Sequence, residues 1–526
     1  MSTVAPPASD GARSQTSRSR LIGNALYSAV AYVIYLPVSL AVNAYMVHRI
    51  GLTAFGIWAL LTTIAGYGSL LDFGITTPLV KYVAESVALD RPEDVNELVN
   101  TAMAFYLVVG AVFAIGMSLA TSWILVHIFH VAANDATLRL LYLATVFSFV
   151  GTLTFSVLES LLIGLQRVDV VSRLTLGYNL TLSAGFVVVL SRGLAVNGLV
   201  AVWVTVNALT VGANWFVARR LFPRLVINPF RFRLTRLRRI MGFSTRVQVT
   251  SMTLALNDRL DGTLIAYALG PAMAGSYQLA SRAAGALRGV SYALMAGLLP
   301  ASADLSAGGD AERLRQLYLR ATRYITVIDL ALCLGAAALA RPLITAWLGG
   351  GHDRVAWTMV IIVAVYAVGL PCQATVDMLN GIGRPGIRMR ADIVLLCIHA
   401  PLSAFLIWRY GYYGTLYGTA AAVISNRVYL YWRGSRALGV GLATLLRRSL
   451  LQPLIAAVLA AAAGLLPQLL GAALTLPMLL LEGVLFGVVY VLYIGVFALD
   501  HYDRELVRDQ LVVGFSGVWR RLRPAS

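Results

Sequence analysis

Charge is scarce in this sequence. Asp, Glu, Lys and Arg together make up 13% of its 526 residues, while 59% are hydrophobic. With a mean hydropathy of +0.76, a water-soluble protein is excluded, because soluble domains carry about 25% charged residues. Lysine is nearly missing: Lys81 is the only one among 42 Lys and Arg residues. The choice of Arg over Lys therefore says little at any one place, and only the position of an arginine is informative. Cysteine is limited to Cys333, Cys372 and Cys397, all inside apolar runs, without CxxC spacing or a partnering histidine. That excludes a disulfide framework and a thiolate metal site. The six histidines are scattered, and there is no P-loop, GxSxG or HExxH. The chain is expected to be no enzyme, to hold no cofactor or metal, and to draw energy from a gradient rather than ATP. Residues 1–20 lack an apolar core, so they read as a short disordered cytoplasmic tail and not as a secretory signal.

What the sequence does have is a series of runs long enough to cross about 30 Å of hydrocarbon, for which roughly 20 apolar residues suffice. About fourteen are expected, at 22–47, 54–80, 98–122, 138–163, 170–191, 195–217, 242–268, 273–298, 320–340, 355–380, 390–409, 413–432, 450–471 and 475–499. Arginines collect on alternate sides. Arg219, Arg220, Arg224, Arg231, Arg233, Arg236, Arg238 and Arg239 lie between the sixth and seventh runs with no acid among them. Arg384, Arg388 and Arg390, then Arg433, Arg436, Arg447 and Arg448, fall on the same side. Since cytoplasmic loops gather Lys and Arg, both termini are expected in the cytoplasm. The net charge of +18 follows from that topology and suits anionic lipid headgroups, so nucleic acid is not an expected partner.

An internal repeat of roughly 217 to 219 residues organises the runs. Gly51 to Leu60 recurs as Gly270 to Leu279, Arg20 to Gly23 as Arg239 to Gly242, and Leu162 to Arg167 as Leu379 to Arg384. Six spans per unit place both copies the same way up, a parallel repeat with a central cavity between two lobes. The expected organisation is an N-lobe at 21–218, a basic linker at 219–239, a C-lobe at 240–433, a basic loop at 434–449, an appended helix pair at 450–499 and a cytoplasmic tail at 500–526. The fold class is all-α and polytopic.

Ionisable groups inside spans cost about 2.5–3.5 kcal/mol each on insertion scales, so they mark sites by default. The informative ones are Asp72, then Arg246, Asp258, Arg259 and Asp261, then Arg282 and Arg288. At 100° per residue, Arg246, Thr250, Thr253, Asn257 and Asp261 share one helix stripe, and Gln278 and Arg282 share another. Asn24, Ser28 and Tyr35 lie together on the first span. Guanidinium groups grip phosphate bidentately, and Tyr and Asn suit sugars, so these surfaces fit a large amphiphilic anion. Two readings of Arg282 stay open: a headgroup contact, or a structural ion pair with Asp258 or Asp261.

Gly51 to Leu60, Leu71-Asp72-Phe73-Gly74, Lys81-Tyr82-Val83-Ala84-Glu85 and Asn257-Asp258-Arg259-Leu260-Asp261 resemble the polysaccharide transporter branch of the multidrug, oligosaccharidyl-lipid and polysaccharide (MOP) exporter superfamily. The resemblance covers essentially the whole chain. It implies a MATE-like fold of two six-helix lobes plus two C-terminal helices in a bacterial inner membrane. It implies a flippase carrying undecaprenyl-pyrophosphate-linked sugar repeat units for O-antigen, capsule or exopolysaccharide, with membrane lipids, a polymerase and a chain-length regulator as partners. On that resemblance substrate contacts fall to Arg246, Arg282, Asn257, Tyr35 and Asn24, and ion coupling to Asp72, Asp258 or Asp261. The alternatives are an ion-coupled drug antiporter of the same superfamily and a polyprenyl-dependent glycosyltransferase or ligase. The appended helix pair counts against the first, and the short outer loops count against the second.

Overall fold

A computed structural model of the chain describes the backbone at 10–228, 230–242, 245–295, 297–470 and 476–498, with side chains from residue 34 onward except at scattered positions. Among the described residues all regular structure is helical. Two compact units divide the chain, 1–283 with 392–422 and 284–391 with 423–526.

The first unit contains α1 (Asp10–Tyr67), a 3-10 turn (Gly68–Asp72), α2 (Thr76–Ala88), α3 (Pro92–Leu119), α4 (Thr121–His127), α5 (Ala136–Gly164), α6 (Val168–Ser191), α7 (Ala195–Leu221), α8 (Leu234–Gly242), α9 (Thr245–Leu269) and the first half of α10 (Pro271–Met295). The second holds the rest of α10, then α11 (Leu298–Ala307), α12 (Ala311–Ala338), α13 (Ala340–Leu348), α14 (Asp353–Gly369), α15 (Gln373–Gly381) and the parts of α16 (Pro385–Tyr410) and α17 (Tyr412–Ala437) outside 392–422. It ends with α18 (Leu442–Leu445), α19 (Leu451–Leu469) and α20 (Leu476–Tyr493). The unit boundary thus runs through α10, α16 and α17 and not through the basic linker.

Helix starts follow local chemistry. Pro92 opens α3, where a missing N–H is harmless, and Asp135 caps α5 by accepting from the Leu138 amide at 2.8 Å. α1 is described from Asp10 onward.

Ten helices among the described residues are long and apolar enough to span a membrane. The expected runs 54–80, 242–268, 273–298 and 413–432 are not separate members of that set. The first is fused with its predecessor into one stretch, Ile34–Asp72, broken at Gly51 with φ 76° and ψ 171° and ending in the 3-10 turn. The other three correspond to α9, α10 and α17, whose polar and charged residues lower their hydropathy.

The repeat appears as a direct contact. Gly51 and Gly270, equivalent in sequence, both have positive φ, 76° and 87°, a conformation that favours glycine. Five residues on, Gly56 and Gly275 pack against each other. A methyl on Gly56 would fall 1.9 Å from the carbonyl oxygen of Pro271, and one on Gly275 would fall 2.8 Å from that of Leu52. Leu52 and Pro271 are themselves equivalent, so the contact is reciprocal.

In the first unit Leu79 and Val83 of α2, Val99 and Met103 of α3 and Val157 and Leu161 of α5 share one apolar core. The polar first turns of α3 fasten the basic linker. Asn96 donates to the Arg224 carbonyl at 2.9 Å and accepts from the Val226 amide at 2.8 Å, and Asn100 does the same with Val226 and Asn228 at 2.7 Å each. Arg236 is paired with Asp94 and Glu97. Burial alone would lower its pKa, but the hydrogen bond to Glu97 and the charges of Asp94 and Glu97 outweigh that and raise it above the ordinary guanidinium value. In the second unit α19 lays Ala456, Ala457 and Ala460 against Phe486 and Tyr490 of α20, with small residues allowing close approach.

Candidate functional site

Two polar constellations lie within the first unit, and α10 contributes to both. The first centres on Arg282. Its Nη1 donates to Asn43 Oδ1 of α1 at 2.6 Å, and its guanidinium carbon lies 5.7 Å from the centre of the Phe55 ring. The side chain is partly buried, and Tyr35 lies within its electrostatic reach. Among the described residues no carboxylate forms an ion pair with Arg282. Asp261 is not the partner of Arg282, since its oxygens are met by His399, Thr419 and Tyr277.

Asp261 belongs to the second constellation. It is 3% exposed, and His399 is wholly buried. His399 Nε2 lies 2.8 Å from Asp261 Oδ1 and 2.9 Å from Thr419 Oγ1, while Nδ1 lies 2.5 Å from Asn257 Oδ1. Asp261 Oδ2 accepts from Thr419 Oγ1 at 2.7 Å and from the Tyr277 hydroxyl at 3.2 Å. Asn257 and Asp261 share a stripe of α9, as their spacing requires. Asp258, one step off it, is exposed and in electrostatic reach of Arg259.

The two constellations are bridged by contacts between α1 and the α9–α10 pair. Gln278 Nε2 donates to Thr63 Oγ1 at 3.3 Å, Arg259 Nη1 to the Thr63 carbonyl at 3.3 Å, and the Tyr67 and Thr263 hydroxyls are 2.8 Å apart. Asp72 is held apart from these groups. Its Oδ1 accepts from Thr76 Oγ1 at 2.5 Å and from the Tyr106 hydroxyl, where the chain turns through Phe73 and Gly74 with positive φ. A cavity of about 290 Å³ opens between α5, α6 and α7, lined in part by Glu159, Tyr178, Asn207 and Asn214. Tyr178 lies within electrostatic reach of Tyr35.

The structure thus brings Tyr35 near Arg282 and joins Asn257 to Asp261, and it leaves Asp72 in separate company. The side chains of Asn24 and Arg246 lie outside the described residues. Sequence reasoning missed His399, Thr419, Asn43 and the lining of the α5–α7 cavity. A histidine inside the apolar run 390–409 was a usable signal, since ionisable groups in spans are rare without a purpose.

The helical architecture, with ten helices among the described residues long and apolar enough to cross a membrane, is that of a polytopic α-helical membrane protein. The chain belongs to the polysaccharide biosynthesis protein family, whose model matches residues 46–356, more than half its length. Its fold is similar to the lipid II flippase MurJ in an inward closed conformation, with a TM-score of 0.70 and 13% identity over 90% of this chain and 98% of that one. An inward-facing multidrug resistance MATE family transporter of the MOP superfamily gives a TM-score of 0.61 at 14% identity, over 81% and 99%. The bent form of the Vibrio cholerae MATE transporter VcmN gives 0.54 at 15%, over 80% and 97%. No curated protein sequence matches the chain.

Proposed function

We propose that this transporter is a lipid-linked oligosaccharide flippase. It moves undecaprenyl-pyrophosphate-linked sugar repeat units from the cytoplasmic to the periplasmic leaflet of a bacterial inner membrane, for O-antigen, capsule or exopolysaccharide. The observation that carries this reading is Arg282, a partly buried guanidinium of α10 with a neutral amide for a partner and, among the described residues, no carboxylate. Such a charge is stabilised by an anionic ligand, and a pyrophosphate is the anion that this family's cargo would carry. Tyr35 is the neighbouring surface for the first sugar, and the cavity with Asn207 and Asn214 is sized for hydrogen bonding to more of them.

The repeat halves, 21–218 and 240–433, would rock about the cargo in alternating access, with 219–239 and 434–449 as cytoplasmic connections and 450–499 as a peripheral pair. Both termini would be cytoplasmic, which reporter fusions at either end read directly. A polymerase and a chain-length regulator would act on the delivered units. Deleting the chain should leave lipid-linked repeat units on the cytoplasmic leaflet and abolish surface polymer. Normal polymer in a deletion strain without a redundant paralogue would remove the proposal.

A further inference from the structure

The cavity between α5, α6 and α7 is built from three matching helix faces. Each helix lines it with residues at i, i+3, i+4 and i+7, from Thr152 to Glu159 on α5, Val171 to Tyr178 on α6 and Asn207 to Asn214 on α7. At about 290 Å³ it stands at the small end of ligand pockets, which run from roughly 300 to 1,000 Å³, and has room for one sugar ring.

The hydroxyls of this wall have already spent their hydrogens. Thr152 donates to the Phe149 carbonyl at 2.8 Å, Ser156 to that of Leu153 at 2.7 Å, Thr175 to that of Val171 at 2.9 Å and Thr210 to that of Val206 at 2.8 Å. A hydroxyl has one hydrogen and two lone pairs, so each of these has only lone pairs left for a ligand. The Asn207 amide nitrogen is turned to Ser148 Oγ at 3.5 Å, which leaves its carbonyl oxygen as an acceptor.

Glu159 adds a carboxylate to the same wall. Its neighbours Leu158 and Ser160 are packed inside at 0% and 2% exposure, whereas Glu159 is exposed and lines the cavity. Among the described residues no hydrogen bond or ion pair engages it, and no Lys or Arg lines the cavity. An ionised carboxylate only accepts, and within a span it calls for a cation. In a chain with a net charge of +18, the protein has placed none here.

The chemistry of the ligand follows from this inventory. A phosphate or a uronic acid would bring more lone pairs and a like charge. An acetamido group offers one N–H, but its carbonyl oxygen would face other acceptors. A neutral hydroxyl can donate, yet it leaves the charge unmatched. An ammonium has three donors, no acceptor and the opposite charge.

We propose that this cavity is a subsite for a sugar with a free amine, held by Glu159 through its ammonium group. The proposal rests on the flippase reading above and names one component of its cargo. Glu159 lies near the end of α5 at Gly164, and Asn214 lies about two turns before the end of α7 at Leu221, where the basic linker begins. The subsite is thus at the linker end of these helices, the side from which cargo is loaded in the topology proposed above.

The test uses full-length protein in phosphatidylglycerol nanodiscs, at a pH where the amine is protonated. Three synthetic undecaprenyl-pyrophosphate disaccharides serve as probes, with glucosamine, N-acetylglucosamine or glucose as the outer sugar. The glucosamine compound should bind about tenfold more tightly than the other two, the effect of one charged hydrogen bond. In Glu159→Gln, which keeps the shape and removes the charge, the three should bind alike. Affinity for the N-acetylglucosamine compound should be unchanged in that variant, which also reports an intact fold.

Equal binding of the three by the wild type, or a preference that survives in Glu159→Gln, overturns the proposal. So does competition with the glucosamine compound by sodium but not by potassium, or by phosphatidylethanolamine added to the nanodiscs. The carboxylate would then belong to an inorganic cation or to a lipid headgroup. The two readings fail separately: binding of all three probes without preference removes only the amine subsite. Binding of none of them, or normal polymer in the deletion strain, removes the flippase reading as well.

Discussion

Arg282 and Asp261 are both ionisable residues, on the adjacent helices α10 and α9, and both lie in the first unit, yet the fold treats them oppositely. Asp261 is met by a histidine and two hydroxyls, so that each of its oxygens has a donor. Arg282 is met by an amide oxygen and a ring face, which leaves most of its five N–H donors for something else. Where the protein supplies the counter-charge, a group can hold a proton or a structure. Where it does not, the counter-charge has to arrive with a ligand or with solvent.

The contrast is most sharply tested by deleting the paired acid. Asp261→Ala takes the hydrogen-bond partner from buried His399, Thr419 and Tyr277, and leaving a buried polar group unsatisfied costs about 1–3 kcal/mol, so both protein abundance and surface polymer should fall. Immunoblots of membranes alongside polymer stains would show it, and normal abundance would mean that the pair is weaker than its geometry implies.

Arg282→Ala comes next. Polymer should disappear while abundance stays near wild type, and adding Asp261→Asn should not restore it, because the two residues are not partners. Arg282→Lys should recover only part of the activity, since a point charge replaces a planar fork. Recovered export in the Arg282→Ala, Asp261→Asn double variant would erase the distinction between the two sites.

The smallest effect is expected at Asp258, which is exposed. Asp258→Asn should change stability by no more than about 0.5 kcal/mol, and export should remain close to wild type in the same polymer assay. A loss as large as that of Asp261→Ala would place the working carboxylate one residue off the stripe.

Much of this was legible beforehand for a definite reason. Spans follow from run length, and the pairing of Asn257 with Asp261 follows from a four-residue helical step, both properties of contiguous sequence. His399 lies 138 residues from Asp261, and nothing local says which acid it meets. Asn43 and Thr63 were passed over for the same reason, being ordinary polar residues until α9 and α10 pack on α1. The acids and amides at 94–100 carry no motif either. Their purpose emerges only when the linker backbone lies against them.

The contact between Gly56 and Gly275 has a mechanical meaning. When equivalent residues of a repeat touch each other, the internal symmetry axis must pass close to them. Points near an axis travel least when the halves turn. The bare backbone there can serve as a fulcrum, where carbonyl oxygens of Leu52 and Pro271 occupy the room that side chains would need. In the alternating access proposed above, a bulky replacement on either glycine would obstruct the turn at the spot where Gly56 and Gly275 touch.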